Sequence, residues 1–171
     1  MLKALALILL FSLPVLASAG RVMVIGDSHS CGEFGQRLVK DLSAKGHEVY
    51  MYCAIARSVR HFLTGAQMSG WCHMFNSKNV DRVNFNSLPA CNVSSFDQMV
   101  SAVSPDKVVV ALGTNDLGTN PTTVFRELGQ KIALHKNHGA GLSCHWTGVP
   151  PISRNTNHCT QPCPNVLSGN T

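Results

Sequence analysis

The chain has 171 residues, 14 Lys and Arg against 9 Asp and Glu, and a formal net charge of +5 with only 13% of residues charged. That length suits one domain with a buried core of its own rather than several. The bases are scattered, with no run of five or six, so nothing in the charge pattern supports a nucleic-acid partner.

The chain opens with a short basic start at Lys3, an apolar run over 4–16 and the small-residue exit Ala17-Ser18-Ala19. This order predicts a secretory signal peptide over 1–19 and a single mature domain over 20–171. The apolar run is shorter than the roughly 20 residues of a spanning helix, so no stable membrane span is expected after cleavage. Cleavage removes Lys3 and no acid, leaving 13 bases against 9 acids and a net charge of +4.

Arg21-Val22-Met23-Val24-Ile25, ending at Gly26, is continuously apolar after its first residue, the pattern of a buried strand covered on both faces. Phe34, Leu38, Val39 and Leu42 recur at helical spacing over 33–45, and Gly46 stops that helix. His47 to Cys53 reads as a second strand, giving a β-α-β unit whose strands are parallel. Residues 55–91 are irregular, rich in Gly, Asn and Ser, and read as a long excursion pinned by disulfides. Ser94 or Ser95 caps a helix through about Val103, with Asp97 in its first turn where the helix dipole favours an acid. Lys107-Val108-Val109-Val110-Ala111-Leu112 is the clearest strand. Asn120-Pro121 then opens a helix to about Asn137, and residues 141–148 give a fourth strand. The succession predicts an α/β fold with a parallel, doubly wound sheet, while the polar tail 153–171 offers no element.

Seven cysteines in an exported chain predict disulfides among Cys31, Cys53, Cys72, Cys91, Cys144, Cys159 and Cys163, and the odd number leaves at least one unpaired in a monomer: a free thiol, a link between two chains, or a partner outside the given sequence. Zinc is the rival explanation, because Cys72-His73 and His158-Cys159 with Cys163 gather soft ligands. Neither group has the paired C-x-x-C spacing of a structural zinc site, so no metal and no cofactor is expected.

Ligands of such sheets bind beyond the carboxyl ends of the strands. The first strand ends in Gly26-Asp27-Ser28-His29-Ser30 and the third in Gly113-Thr114-Asn115-Asp116. A glycine permits a sharp strand-to-helix turn that lifts the following serine above the sheet. The predicted topology makes these two strands neighbours, so Ser28 and Asn115 face one gap. A nucleophile beside a neutral N–H donor is what acyl transfer requires, since attack on a carbonyl creates an oxyanion. Other polar residues have plainer explanations: Asp27 in turn geometry, His29 as a neighbour poorly placed to line up with Ser28, His135 and His138 at a helix C-terminus, Trp71 and Trp146 by burial.

Val24-Ile25-Gly26-Asp27-Ser28 resembles the first sequence block of the SGNH (GDSL-like) hydrolases, and Ala111-Leu112-Gly113-Thr114-Asn115-Asp116 resembles the third. Trp146-Thr147-Gly148-Val149-Pro150-Pro151 is similar to the strand that follows in that family. The resemblance runs from Val22 to about Ile152 and implies a flavodoxin-like three-layer α/β/α fold. It also implies Ser28 as nucleophile, with an oxyanion hole formed by the Ser28 N–H, the Asn115 side chain and a backbone N–H after the second strand. The family places glycine at that last position; here Ala56 stands there, which suffices if its φ is ordinary.

The family also carries a late Asp-x-x-His that supplies base and orienting acid. Nothing in 153–171 fits: His158 follows Asn155, not Asp, so no catalytic His or Asp is identified. A fifth strand and a final helix are missing by the same comparison, which predicts a truncated chain with the fourth strand as an exposed edge. The expectation is an exported carboxylic-ester hydrolase acting on a small-molecule ester or an acylated envelope polysaccharide, such as one bearing O-acetyl groups. The alternative is a non-catalytic glycan- or envelope-binding protein that keeps the fold without the rest of the triad.

Overall fold

The run that reads as a doubly covered strand does form the middle of the sheet. The computed structural model describes residues 19–84, 87, 90–116, 121–136, 142–147 and 161–162. Its strands are β1 (Arg21–Gly26), β2 (Glu48–Ala54), β3 (Ala66–Asn76), β4 (Ala90–Val93), β5 (Lys107–Ala111), β6 (Ser143–Trp146) and β7 (Gln161–Pro162). Its helices are α1 (Glu33–Ala44), α2 (Val59–Thr64), α3 (Phe96–Val103) and α4 (Pro121–Lys136). They build one mixed sheet in the order β4-β3-β2-β1-β5-β6-β7. Residues 1–18 of the segment predicted as a signal peptide lie outside the described residues, as do Asn120, Asn137, His138 and most of the tail.

Alternation along the central strands separates two apolar layers. Val22 and Val24 of β1, with Val49, Met51 and Cys53 of β2, pack with Val39 of α1 on one face. Met23 and Ile25, with Val108 and Val110 of β5, pack on the other against Phe62 of α2, Met99 of α3 and Leu128 and Ile132 of α4. Each such side chain taken fully out of water contributes about 1.5–3 kcal/mol, so both faces hold the sheet rather than one. Helices thus pack on both faces of the sheet, an arrangement compatible with the expected three-layer α/β fold. Among the described residues no helix is long and apolar enough to cross a membrane.

Local signals place several boundaries where the sequence predicts them. Ser95 is the N-cap of α3: its hydroxyl accepts the Gln98 N–H at 3.3 Å, and the Gln98 side chain accepts the Ser95 N–H at 2.8 Å. This reciprocal pair satisfies two donors that an open helix end would leave bare. Pro121 opens α4, where its missing N–H costs nothing.

Two expectations are corrected. The sheet is not wholly parallel: β2-β1-β5-β6 are mutually parallel, but β3 and β4 join antiparallel from within the excursion. Interruption by Gly65 and Gly70 and the absence of clean alternation hide β3, whose Trp71 and Met74 remain exposed. The excursion is pinned as anticipated, by a Cys72–Cys91 disulfide joining β3 to β4. The fourth parallel strand is not a bare edge either, because β7 pairs antiparallel with it through His145↔Pro162 and Trp146↔Gln161. A two-residue strand in a polar tail carries no periodicity from which to predict it.

Candidate active site

Three neighbouring strand exits form the candidate site. Gly26, the last residue of β1, pairs with Cys53 of β2 on one side and Ala111 of β5 on the other. The parallel strands therefore end level, with Ser28 beyond the end of the middle one. The chain then makes a compact turn: the Asp27 N–H donates to the Ala111 carbonyl at 3.4 Å, Ser30 N–H to the Asp27 carbonyl at 3.0 Å, and Cys31 N–H to the Ser28 carbonyl at 3.2 Å. The Asp27 carboxylate accepts the His29 N–H at 3.1 Å, the turn role anticipated for it. Gly26 is required here, because a Cβ at that position would lie 2.0 Å from Ser30 Oγ.

A covalent tie reinforces the turn. Cys31 and Cys53 form a disulfide with Cα atoms 5.2 Å apart, both almost wholly buried. It joins the serine turn to the end of β2. Cys144 of β6 is disulfide-bonded as well. These bridges fit an oxidising compartment.

The β5 exit is tied to the β2 exit by two further bonds. Gly113, at φ 138, takes a conformation that side chains disfavour, and a short 3-10 turn over Thr114–Asp116 follows. Asn115 Nδ2 donates to the Arg57 carbonyl at 3.0 Å. A primary amide carries two N–H donors, so this bond fixes the side chain while leaving a second donor for a ligand. Asp116 Oδ2 accepts the Val59 N–H at 3.2 Å, holding the first turn of α2. Burial raises the Asp116 carboxyl above the ordinary carboxylate range, and nearby Asp27 adds to this; the Val59 N–H and His61 oppose it.

Ala56 lies on the loop between these ties, but not with the ordinary backbone expected of it. Its φ is 54, in the left-handed region where a Cβ is strained and glycine is at ease. The position thus has a backbone geometry that favours glycine, although alanine occupies it. Neither the Ser28 nor the Ala56 backbone N–H has a hydrogen-bond partner among the described residues.

The structure therefore brings the loops of Ser28, Ala56 and Asn115 to one end of three adjacent strands. Other candidates find structural roles. His61 Nδ1 lies 2.9 Å from Ser58 Oγ and 3.1 Å from the Ser58 nitrogen, completing a capping box on α2. His135 lies 2.9 Å from Asp97, which also binds Lys131, so a carboxylate rather than the helix end alone engages it. Trp146 packs edge-on against Phe125 at 4.0 Å, whereas Trp71, expected to be buried, is 62% exposed. Among the described residues no three potential metal ligands cluster. Sequence reasoning missed the Cys31–Cys53 pairing and the Asp116–Val59 bond. Neither has a local signature; only the adjacency of β1, β2 and β5 creates them. No protein-family model, curated protein or solved structure matches the chain.

Proposed function

We propose that this chain is an exported serine esterase in which Ser28 attacks a carboxylic ester and three N–H groups receive the oxyanion. The observation that carries the reading is the convergence at one sheet end: Ser28 on a tight turn, N–H groups on Ser28 and Ala56 that no described residue accepts, and an Asn115 amide fixed by Arg57. Donors aimed in advance at a developing oxyanion are commonly the largest single contribution to acyl-transfer catalysis. The Gly-Asp-Ser and Gly-Thr-Asn-Asp motifs, similar to those of SGNH hydrolases, support the same assignment.

Ser28 Oγ bonds to the acyl carbon, the carbonyl oxygen becomes an oxyanion held by the three donors, and the ester C–O bond breaks to release the alcohol. Water then cleaves the acyl-serine and frees the acid. The Asp-x-x-His of the resembled family does not occur in these 171 residues, so in an assay of this chain water or buffer base takes the Ser28 proton and the departing alcohol takes one from solvent. Serine hydrolases lacking a triad member retain roughly 10³–10⁴-fold catalysis over water from the oxyanion hole and binding. Residual activity rising steadily with pH is the expected behaviour. The predicted leader and the disulfides support export, and acyl esters of an envelope polysaccharide are one substrate class consistent with that location.

Release of a chromogenic alcohol from its acetate ester, by the chain and by Ser28→Ala, tests the assignment. Equal rates in both overturn it. A second reading, a non-catalytic glycan-binding protein, is favoured by exposed Trp71, an aromatic face available to a sugar ring. It predicts glycan binding that survives Ser28→Ala, with no acyl adduct on the protein.

A further inference from the structure

We infer that an apolar cavity beside the 55–58 loop is the acyl-chain pocket of the ester substrate, shaped for an uncharged chain of about six carbons. The inference rests on the esterase reading for its link to Ser28, while the cavity itself stands on geometry. The cavity measures about 210 Å³. Its walls include Tyr52 and Ala54 of β2, Phe62 of α2, Met74 of β3, Val93 of β4 and Met99 of α3, and no Asp, Glu, Lys or Arg lines it. His73 also lines it, and burial lowers its imidazole below the ordinary histidine range, which keeps that wall uncharged at neutral pH.

Size and chemistry decide the occupant. A dry cavity of roughly 150 Å³ lined by Leu, Ile and Phe is large enough to take up benzene, six carbons in all. The present volume exceeds that, so an acetyl group would leave most of it empty. A charged group would surrender hydration to walls that hold no ionised partner for it, although Tyr52, Asn92 and Ser94 add polar atoms to the lining.

Position decides the role. Tyr52, Cys53 and Ala54 line the cavity and lead directly into Ile55-Ala56-Arg57, the loop of the candidate oxyanion donor. Phe62 lies on α2, whose first turn is held by Asp116 beside Asn115. Two of the five elements that wall the cavity, β2 and α2, bracket Ala56, so a chain seated there would leave its carbonyl carbon near the strand exits. The Cys72–Cys91 disulfide joins β3 and β4, and both its cysteines are wall residues.

Binding of methyl hexanoate and of methyl acetate, titrated by NMR against the whole chain carrying Ser28→Ala, tests the pocket without turnover. Saturable binding of the hexanoate at least tenfold tighter than of the acetate is expected. Val93→Phe should remove that preference, and Ser94→Leu serves as a second filler if the first variant does not fold. Equal binding of the two esters, or a preference unchanged by a folded filler variant, overturns the pocket. The two readings fail separately. Hydrolysis that needs Ser28 but is blind to chain length leaves the esterase and removes the pocket. Hexanoate preference with no Ser28-dependent hydrolysis leaves the pocket and removes its catalytic link.

Discussion

The Asn115 side-chain amide donates to the Arg57 carbonyl at 3.0 Å, tying the loop after β5 to the loop after β2. One donor of the amide is spent on this tie and the other is thereby aimed. In the proposed esterase this tie fixes Asn115 as an oxyanion donor, and that role makes a sharp prediction. Asn115→Ala should lower the Ser28-dependent rate by about 10²–10³-fold, the range typical for losing one oxyanion donor. Its stability should change by no more than about 1 kcal/mol, because a net hydrogen bond at an exposed site contributes little more than that. Steady-state kinetics beside denaturant unfolding separates the two effects.

Ala56 holds a left-handed φ of 54 that its Cβ makes costly. Ala56→Gly should relieve this strain at some expense in unfolded-chain entropy, raising stability by up to about 1 kcal/mol. Because the donor is a backbone N–H, Ser28-dependent hydrolysis should persist in the variant. A glycine variant that unfolds more readily than the parent would contradict the assigned backbone strain.

The Cys31–Cys53 disulfide closes a segment of sequence separation 22. Chain-entropy arguments assign such a loop about 3 kcal/mol. Replacing both cysteines by alanine should therefore lower the unfolding free energy by about that amount, measured in urea. The esterase rate should fall too, since the Ser28 turn loses its tie to β2.

Asp116 is 1% exposed, and burial raises its carboxyl pKa. The folded state therefore binds the Asp116 proton more tightly than the unfolded state does. Its favourable contribution is complete below the unfolded value of about 3.9 and is lost as pH rises through the raised folded value. Asp116→Asn removes this dependence while keeping an oxygen for the Val59 N–H. The stability difference, parent minus variant, should fall as pH rises from about 4, as followed by unfolding across a pH series.

How much of this was legible beforehand follows from the range of each signal. β1, α1, β2, α3, β5 and α4 carry their own periodicity and caps, and Ser95 marks a helix start to the residue. Ser28 and Asn115 were legible because a glycine after a buried strand announces a turn. β3 and β4 were not, since half-exposed antiparallel strands such as that of Trp71 and Met74 lack a continuous apolar run. The strain at Ala56 was hidden for a different reason: alanine gives no sign of a left-handed φ, where glycine would have. The cavity was equally invisible, because its walls come from β2, β3, β4, α2 and α3 and meet only in the folded chain.

Intact-mass analysis after incubation with a chromogenic hexanoate ester tests the nucleophile most directly. One acyl group added per chain is expected, located on Ser28 by peptide mapping and absent from Ser28→Ala. No adduct at any pH up to the limit of protein stability, or an identical adduct on Ser28→Ala, would contradict Ser28 as the nucleophile.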